Sequence, residues 1–262
     1  MKRPSVGAWA AFAIGVAYFI VPLVATVEFS MRIRRGTYSL DAYANVLSDP
    51  AFWHTFGFSA ASALATIVAG TLLVVPTAYW IRLKLSWLRP YVEFVTLMPL
   101  VIPAIVLVFG YLKLYNSSSL LPMTASTWST DVLLVCGYVV LALPYLYRAV
   151  DTGLRTIDVR SLTEAAESLG ARRSTILFRV IFPNVRAAVL SGAFLTFAIV
   201  IGEFTLASLL DRPAFGPYLQ LVGANKAYEP SALAFIAFAV TWACMGLIQL
   251  FARDPTARSV KV

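Results

Sequence analysis

The chain has 262 residues, of which 60% are apolar and only 13% charged, with a net charge of +8 and a mean hydropathy of +0.78. A soluble domain carries about a quarter of its residues as charged side chains, so this composition excludes a soluble enzyme or binding module and describes a polytopic membrane protein. The positive charge then reports membrane topology and contact with anionic lipid headgroups rather than nucleic-acid binding.

Uncharged runs near the roughly 20 residues that cross a bilayer predict six helices, at about 8–29, 58–81, 92–112, 130–150, 187–210 and 231–251. The predicted fold is therefore all-α, a single transmembrane domain over 1–262 with no room for a separate soluble domain. The first run follows Met1-Lys2-Arg3, is too long for a secretory signal and lacks a small-residue cleavage site near Val24–Glu28, so it is expected to remain as an anchor. In the segment 30–57, Ser39 or Asp41 can cap a short helix, and Phe52-Trp53 suits a helix in the headgroup layer, with His54 at the interface. Pro99 and Pro103 in the third span and Pro144 in the fourth predict kinks. The fourth span must borrow Thr130, Asp131 and Arg148 at its ends. The Ser/Thr-rich stretch 113–130 reads as a loop, and Cys136 and Cys244, both inside predicted spans, read as inert. Gly137, Gly192, Gly202 and Gly246 offer places for close helix packing.

With six spans, the two termini and the loops after spans two and four share one side, which holds fifteen of the 21 basic residues. That side is expected to be cytoplasmic, against the local exception of Arg32, Arg34 and Arg35 beyond span one.

The cytoplasmic loop at about 151–186 carries the densest local signals. Asp158 or Ser161 can cap a helix, Ser161 and Glu164 have capping-box spacing, and Gly170 falls where a helix needs a left-handed terminator. A helix over about 159–169 follows, with Leu162, Ala165, Ala166 and Leu169 predicted to share one low, smooth face. A second start at Ser174 opens an amphipathic run that Pro183 breaks at the entry to span five. A structured loop of this length is expected to meet a partner.

Glu164, Ala165, Ala166, Gly170 and Pro183 stand in the register Glu-Ala-Ala, three residues, Gly, then twelve residues to Pro, with Val180 and Phe182 at the two apolar positions between. This resembles the EAA loop of type I ABC-importer permeases, with Val180 and Phe182 standing where the family pattern has Ile and Leu. Tyr38–Phe52 is similar to that family's first external loop. Gly202-Glu203-Phe204 is similar to a segment of its permeases for polyamines, ferric iron, thiamine and related solutes. The resemblance implies a permease most like the spermidine/putrescine type, lying in the bacterial inner membrane. Its short helix, with Ser161, Leu162, Glu164, Ala165, Ala166, Leu169, Gly170 and Pro183, would couple to a cytoplasmic ATP-binding subunit dimer. The resemblance further implies an external solute-binding protein and, from the polyamine-type systems, an unlike second permease. ATP and Mg2+ would sit on the partner, because this chain has no Gly-x-x-x-x-Gly-Lys-Ser/Thr phosphate loop and is not itself expected to be an enzyme.

Glu203 is the one carboxylate well inside a predicted span, roughly 24 Å from the cytoplasmic end at about 1.5 Å per residue. An ionisable group there costs up to about 2.5–3.5 kcal/mol and is by default a pathway candidate. With Phe204, Thr205 and Ser208 beside it, it suits a cationic, polyamine-like cargo; the other weight rests on pairing with a neighbouring helix at an external gate. Ferric iron, thiamine or phosphonate remain alternative cargoes. A channel or ion-coupled transporter would leave the polar loop unexplained and needs more than one intramembrane charge. A membrane enzyme needs a His, Asp or Cys cluster that one histidine does not supply.

Overall fold

The computed structural model describes residues 6–34 and 36–252. The parts of the charge count that fall on Lys2, Arg3, Arg35, Arg253, Arg258 and Lys261 lie outside the described residues. Within them the chain is helical, without a strand: α1 (Val6–Ser30), α2 (Asp41–Ser48), α3 (Pro50–Leu83), α4 (Arg89–Val101), α5 (Ala104–Leu114), α6 (Thr127–Arg155), α7 (Val159–Ser168), α8 (Arg173–Thr175), α9 (Phe182–Gly202), α10 (Thr205–Leu209), α11 (Phe215–Asn225) and α12 (Glu229–Ala252). Among the described residues α1, α3, α6 and the run Arg173–Gly202 are long and apolar enough to cross a membrane. The predicted third span is instead a pair: α4 and α5 meet at 97°. Ile102 precedes Pro103 and adopts φ −86°, ψ 117°, the extended conformation that a following proline ring imposes. Pro144, by contrast, stays inside α6, whose 29 residues extend the predicted fourth span at both ends. Counted with the bent pair the long apolar helices number five, and α12 stands where the sixth span was predicted, its apolar stretch Glu229–Cys244 being shorter.

The described residues form two compact units, one within 6–54 and 218–240, the other within 55–217 and 241–252. In the first, α2 turns Ala42 and Val46 inward, and the Tyr43 hydroxyl meets Ser30 Oγ at 2.8 Å. Ser39 Oγ accepts the Asp41 amide, but the N-cap position falls on Leu40 and no side chain caps α2, so neither predicted cap forms. The aromatic pair expected in a headgroup helix of its own lies instead in the first turn of α3, with Phe52 2% exposed. Asp49 Oδ1 accepts the Ala51 amide ahead of Pro50, so an acidic cap followed by a first-turn proline starts this 34-residue helix. Tyr218 donates to Asp49 Oδ2 at 2.8 Å; that bond and the Ala51 amide hold the Asp49 carboxyl below the usual carboxylate range, while burial pushes the phenol up to about 12.

The second unit has two apolar cores. One joins Val74, Val75, Ala78 and Tyr79 of α3 to Leu146, Val150 and Leu154 of α6, Val159 and Ala166 of α7, and Ile181, Val185 and Val189 around the start of α9. The other gathers Ala63, Val108, Leu134 and Tyr138 against Val200, Leu206, Ala207 and Leu210. Gly137 and Gly192 sit at close crossings, against Leu206 and the Leu146 backbone respectively, whereas Gly202 and Gly246 face open space.

Candidate functional site

The predicted loop helix forms as α7, and Asp158 rather than Ser161 caps it. Asp158 Oδ1 accepts the Ser161 amide at 3.1 Å and Oδ2 accepts the Ser161 hydroxyl at 2.7 Å. These donors, the hydroxyl first, hold the Asp158 carboxyl below its usual range. The predicted Ser161–Glu164 box is absent because Glu164 turns outward and accepts Arg160 Nε at 2.8 Å, in a well-solvated pair that contributes little to stability. At the other end Gly170 has φ +75°; its amide donates to Glu167 O at 2.9 Å and that of Ala171 to Ala166 O at 3.0 Å. This double closure leaves few free carbonyls at the helix end and requires the left-handed residue predicted there.

Leu162, Ala165, Ala166 and Leu169 do not share one face. Val159, Thr163 and Ala166 are buried and Leu162 packs beside them on the core, so the inward stripe runs through Thr163. Ala165 is exposed and Leu169 is 89% exposed, so the predicted four-residue face is split between core and surface. The reason is Thr163: its hydroxyl donates to Val159 O at 2.7 Å and lies 3.2 Å from the Tyr79 hydroxyl of α3, which lets a polar side chain face inward. The outward surface is Ser161, Glu164, Ala165, Ser168 and Leu169, ending at Gly170.

Pro183 does not break the chain. Arg173–Gly202 is one helix that takes the wider π form near its start, over Ile176–Ile181, with the Phe182 amide donating to Leu177 O. A proline ring clashes with the carbonyl four residues back; widening the turn before Pro183 relieves that clash, and the Asn184 side chain donates from Nδ2 to the Val180 carbonyl at 2.7 Å. Such π turns recur at functional positions.

Glu203 is not on a continuous helix. α9 ends at Gly202, Glu203 is extended at φ −76°, ψ 130°, and α10 follows. The carboxylate, on a residue 9% exposed, accepts the Leu206 amide at 2.8 Å and the Ala207 amide at 3.3 Å, and Tyr138 of α6 neighbours it. A carboxylate capping the positive end of a helix is at home in an apolar setting. The four predicted pathway residues are therefore not on one side: Glu203 points inward, Thr205 is half-buried, and Phe204 and Ser208 are exposed. Neither the break nor α11, whose first turn holds Gly216 and Pro217, was expected from the sequence. An acidic residue three positions before Leu206 was the available sign.

The signature of the family described as binding-protein-dependent transport system inner membrane component matches residues 67–254. The chain belongs to this family. The permease is 28% identical over 199 residues to the spermidine/putrescine transport system permease protein PotC of Escherichia coli K12, covering 74% of this chain and 70% of that one. It is 35% identical over 149 residues to a probable molybdenum ABC transporter permease protein of Haloferax volcanii, covering 55% and 53%. In fold it is similar to a bacterial ABC transporter involved in the import of the acidic polysaccharide alginate, with a TM-score of 0.67 at 11% identity over 94% of this chain and 96% of that one. The permease is thus a multi-pass inner-membrane component of an ABC transporter, and ATP hydrolysis belongs to a separate subunit.

Proposed function

We propose that the permease forms the membrane path of an ATP-driven importer and is driven through α7. The observation that carries this reading is the construction of α7: capped at Asp158, closed at Gly170, fixed on its inner side to α3, α6 and α9, and free on the side that ends in an 89%-exposed Leu169. A surface helix that only connected two spans would need neither the buried stripe nor the exposed leucine. Such a helix moves as a rigid lever, so closure of an ATPase dimer on its outer face would tilt the three long helices it rests on. Six spans, both termini in the cytoplasm, an external solute-binding protein and an unlike second permease complete the proposed assembly. In co-purification from membranes, the permease should bring down its ATPase subunit, and Leu169→Asp, which places a charge on the outer face without touching the core, should abolish recovery. Retention of the ATPase by that variant would overturn the docking assignment.

The proposed cargo is a small polyamine-like cation, supported by the similarity to the spermidine/putrescine permease. At the α9–α10 break Phe204, Thr205 and Ser208 would face the path, while Glu203 holds the break in shape. Glutamine keeps one acceptor for the α10 amides, so Glu203→Gln is expected to leave the kinetics of labelled spermidine uptake unchanged in proteoliposomes holding the whole transporter. A fall in uptake with the fold intact would instead put the carboxylate in contact with the cargo. An intact transporter that takes up molybdate but not spermidine would refute the cargo reading.

A further inference from the structure

A knot of charges at the end of α6 belongs to neither site above. Asp151, its side chain 15% exposed, meets three guanidinium groups carried by three helices. Arg82, in the last turn of α3, lies 3.5 Å from Oδ1 and also donates to the Asp151 carbonyl at 3.2 Å. Arg89, which opens α4, lies 3.3 Å from Oδ2, and Arg155, one turn further along α6, donates to the same oxygen from Nη2 at 2.7 Å and Nε at 2.9 Å. Glu93 of α4 adds a second carboxylate, 2.8 Å from Arg89 and 3.9 Å from Arg155. One exposed ion pair contributes little, but three cations converging on a largely buried carboxylate are a different case: its removal leaves Glu93 alone to offset Arg89 and Arg155.

Position gives this hub its meaning. Only Thr156–Asp158 separate α6 from α7, and α4 is the arm that turns through 97° into α5. α7 already reaches α3 through Tyr79 and Thr163, while the first turn of α4 is tied to α3 and α6 at Asp151. We infer that Asp151 is a positioning residue for coupling: it clamps the start of α4 to the ends of α3 and α6, so that a displacement of α7 re-aims the α4–α5 elbow instead of dissipating in the connector. The inference rests on the assignment of α7 as the docking helix.

The test uses the whole transporter, with its ATPase, second permease and binding protein, in proteoliposomes. Asp151→Asn should leave the complex assembled and hydrolysing ATP while solute moved per ATP falls about five- to tenfold, the scale of a typical coupling free energy. Asp151→Glu, which keeps the charge, should recover most of that ratio. A fixed static role would not change the ratio in an intact complex. An unchanged ratio in the assembled Asn variant, or loss of assembly in that variant, overturns the inference. Failure of the unmodified permease to recover any ATPase would instead bring down the docking assignment on which it rests.

Discussion

Gly170→Val should lower transport by about five- to thirtyfold while membrane insertion and steady-state amount stay unchanged. The glycine has φ +75° and nothing within 4 Å of where a side chain would begin, so the effect is one of backbone conformation rather than of packing. A β-branched residue in the left-handed region costs on the order of 1–3 kcal/mol, and even 1–2 kcal/mol changes a two-state ratio by about five- to thirtyfold. The cost falls on the closure in which Gly170 and Ala171 donate to Glu167 and Ala166. When that closure opens, the last turn of α7 frays, and Leu169 loses its fixed position at the end of the outer face. The spans are untouched, so the loss appears in transport and in ATPase recovery, not in insertion. Gly170→Asn is the control, because asparagine tolerates the left-handed region; it should retain most activity. Equal loss in both variants, or full uptake by the valine variant, would contradict the assigned role of the turn.

The ends of α7 were legible in the sequence because both are local: Asp158 acts on a residue three positions away, and Gly170 acts through its own φ. Its face was not, because Thr163 turns inward only by virtue of Tyr79, 84 residues distant in the chain. The same division explains the prolines. All three stand in apolar runs, yet Pro144 remains within α6, which is held along its length by α9 and α4, whereas Pro103, four residues after Pro99, ends one helix and starts another. A ring that removes one hydrogen bond is absorbed where neighbours hold the helix; two rings a turn apart leave the pre-proline preference of Ile102 to decide. Glu203 was recognisable as an unusual carboxylate, but its partners became definable only once the helix was seen to stop at Gly202. The Asp151 hub gave no sign in sequence, since Arg82, Arg89 and Asp151 look like ordinary charges at span ends until three helices bring them together.

The largest loss of stability is expected from Gly216→Ala, a change of one methyl group. A β-carbon built on Gly216 would fall inside contact distance of the Glu203 carbonyl oxygen, 2.9 Å from its carbonyl carbon and 3.1 Å from Phe204 Cα. These are backbone atoms, so no rotamer change relieves them. Neither segment is free to retreat: Phe215, buried at 2% exposure, donates its amide to Ser59 Oγ at 2.8 Å, and Glu203 is fixed by the two α10 amides it caps. Insertion of a methyl group into such a contact costs about 1–3 kcal/mol, with the loss of a charge-assisted cap added if Glu203 is the side that yields. For a chain of this size a destabilisation of about 2–3 kcal/mol lowers the thermal midpoint by roughly 4–12 °C. Gly202→Ala, one residue before the break and with open space around it, should leave the midpoint unchanged in the same detergent. If the two variants melted together, the close approach of α11 to the Glu203 backbone would not be what holds the α9–α10 break in place.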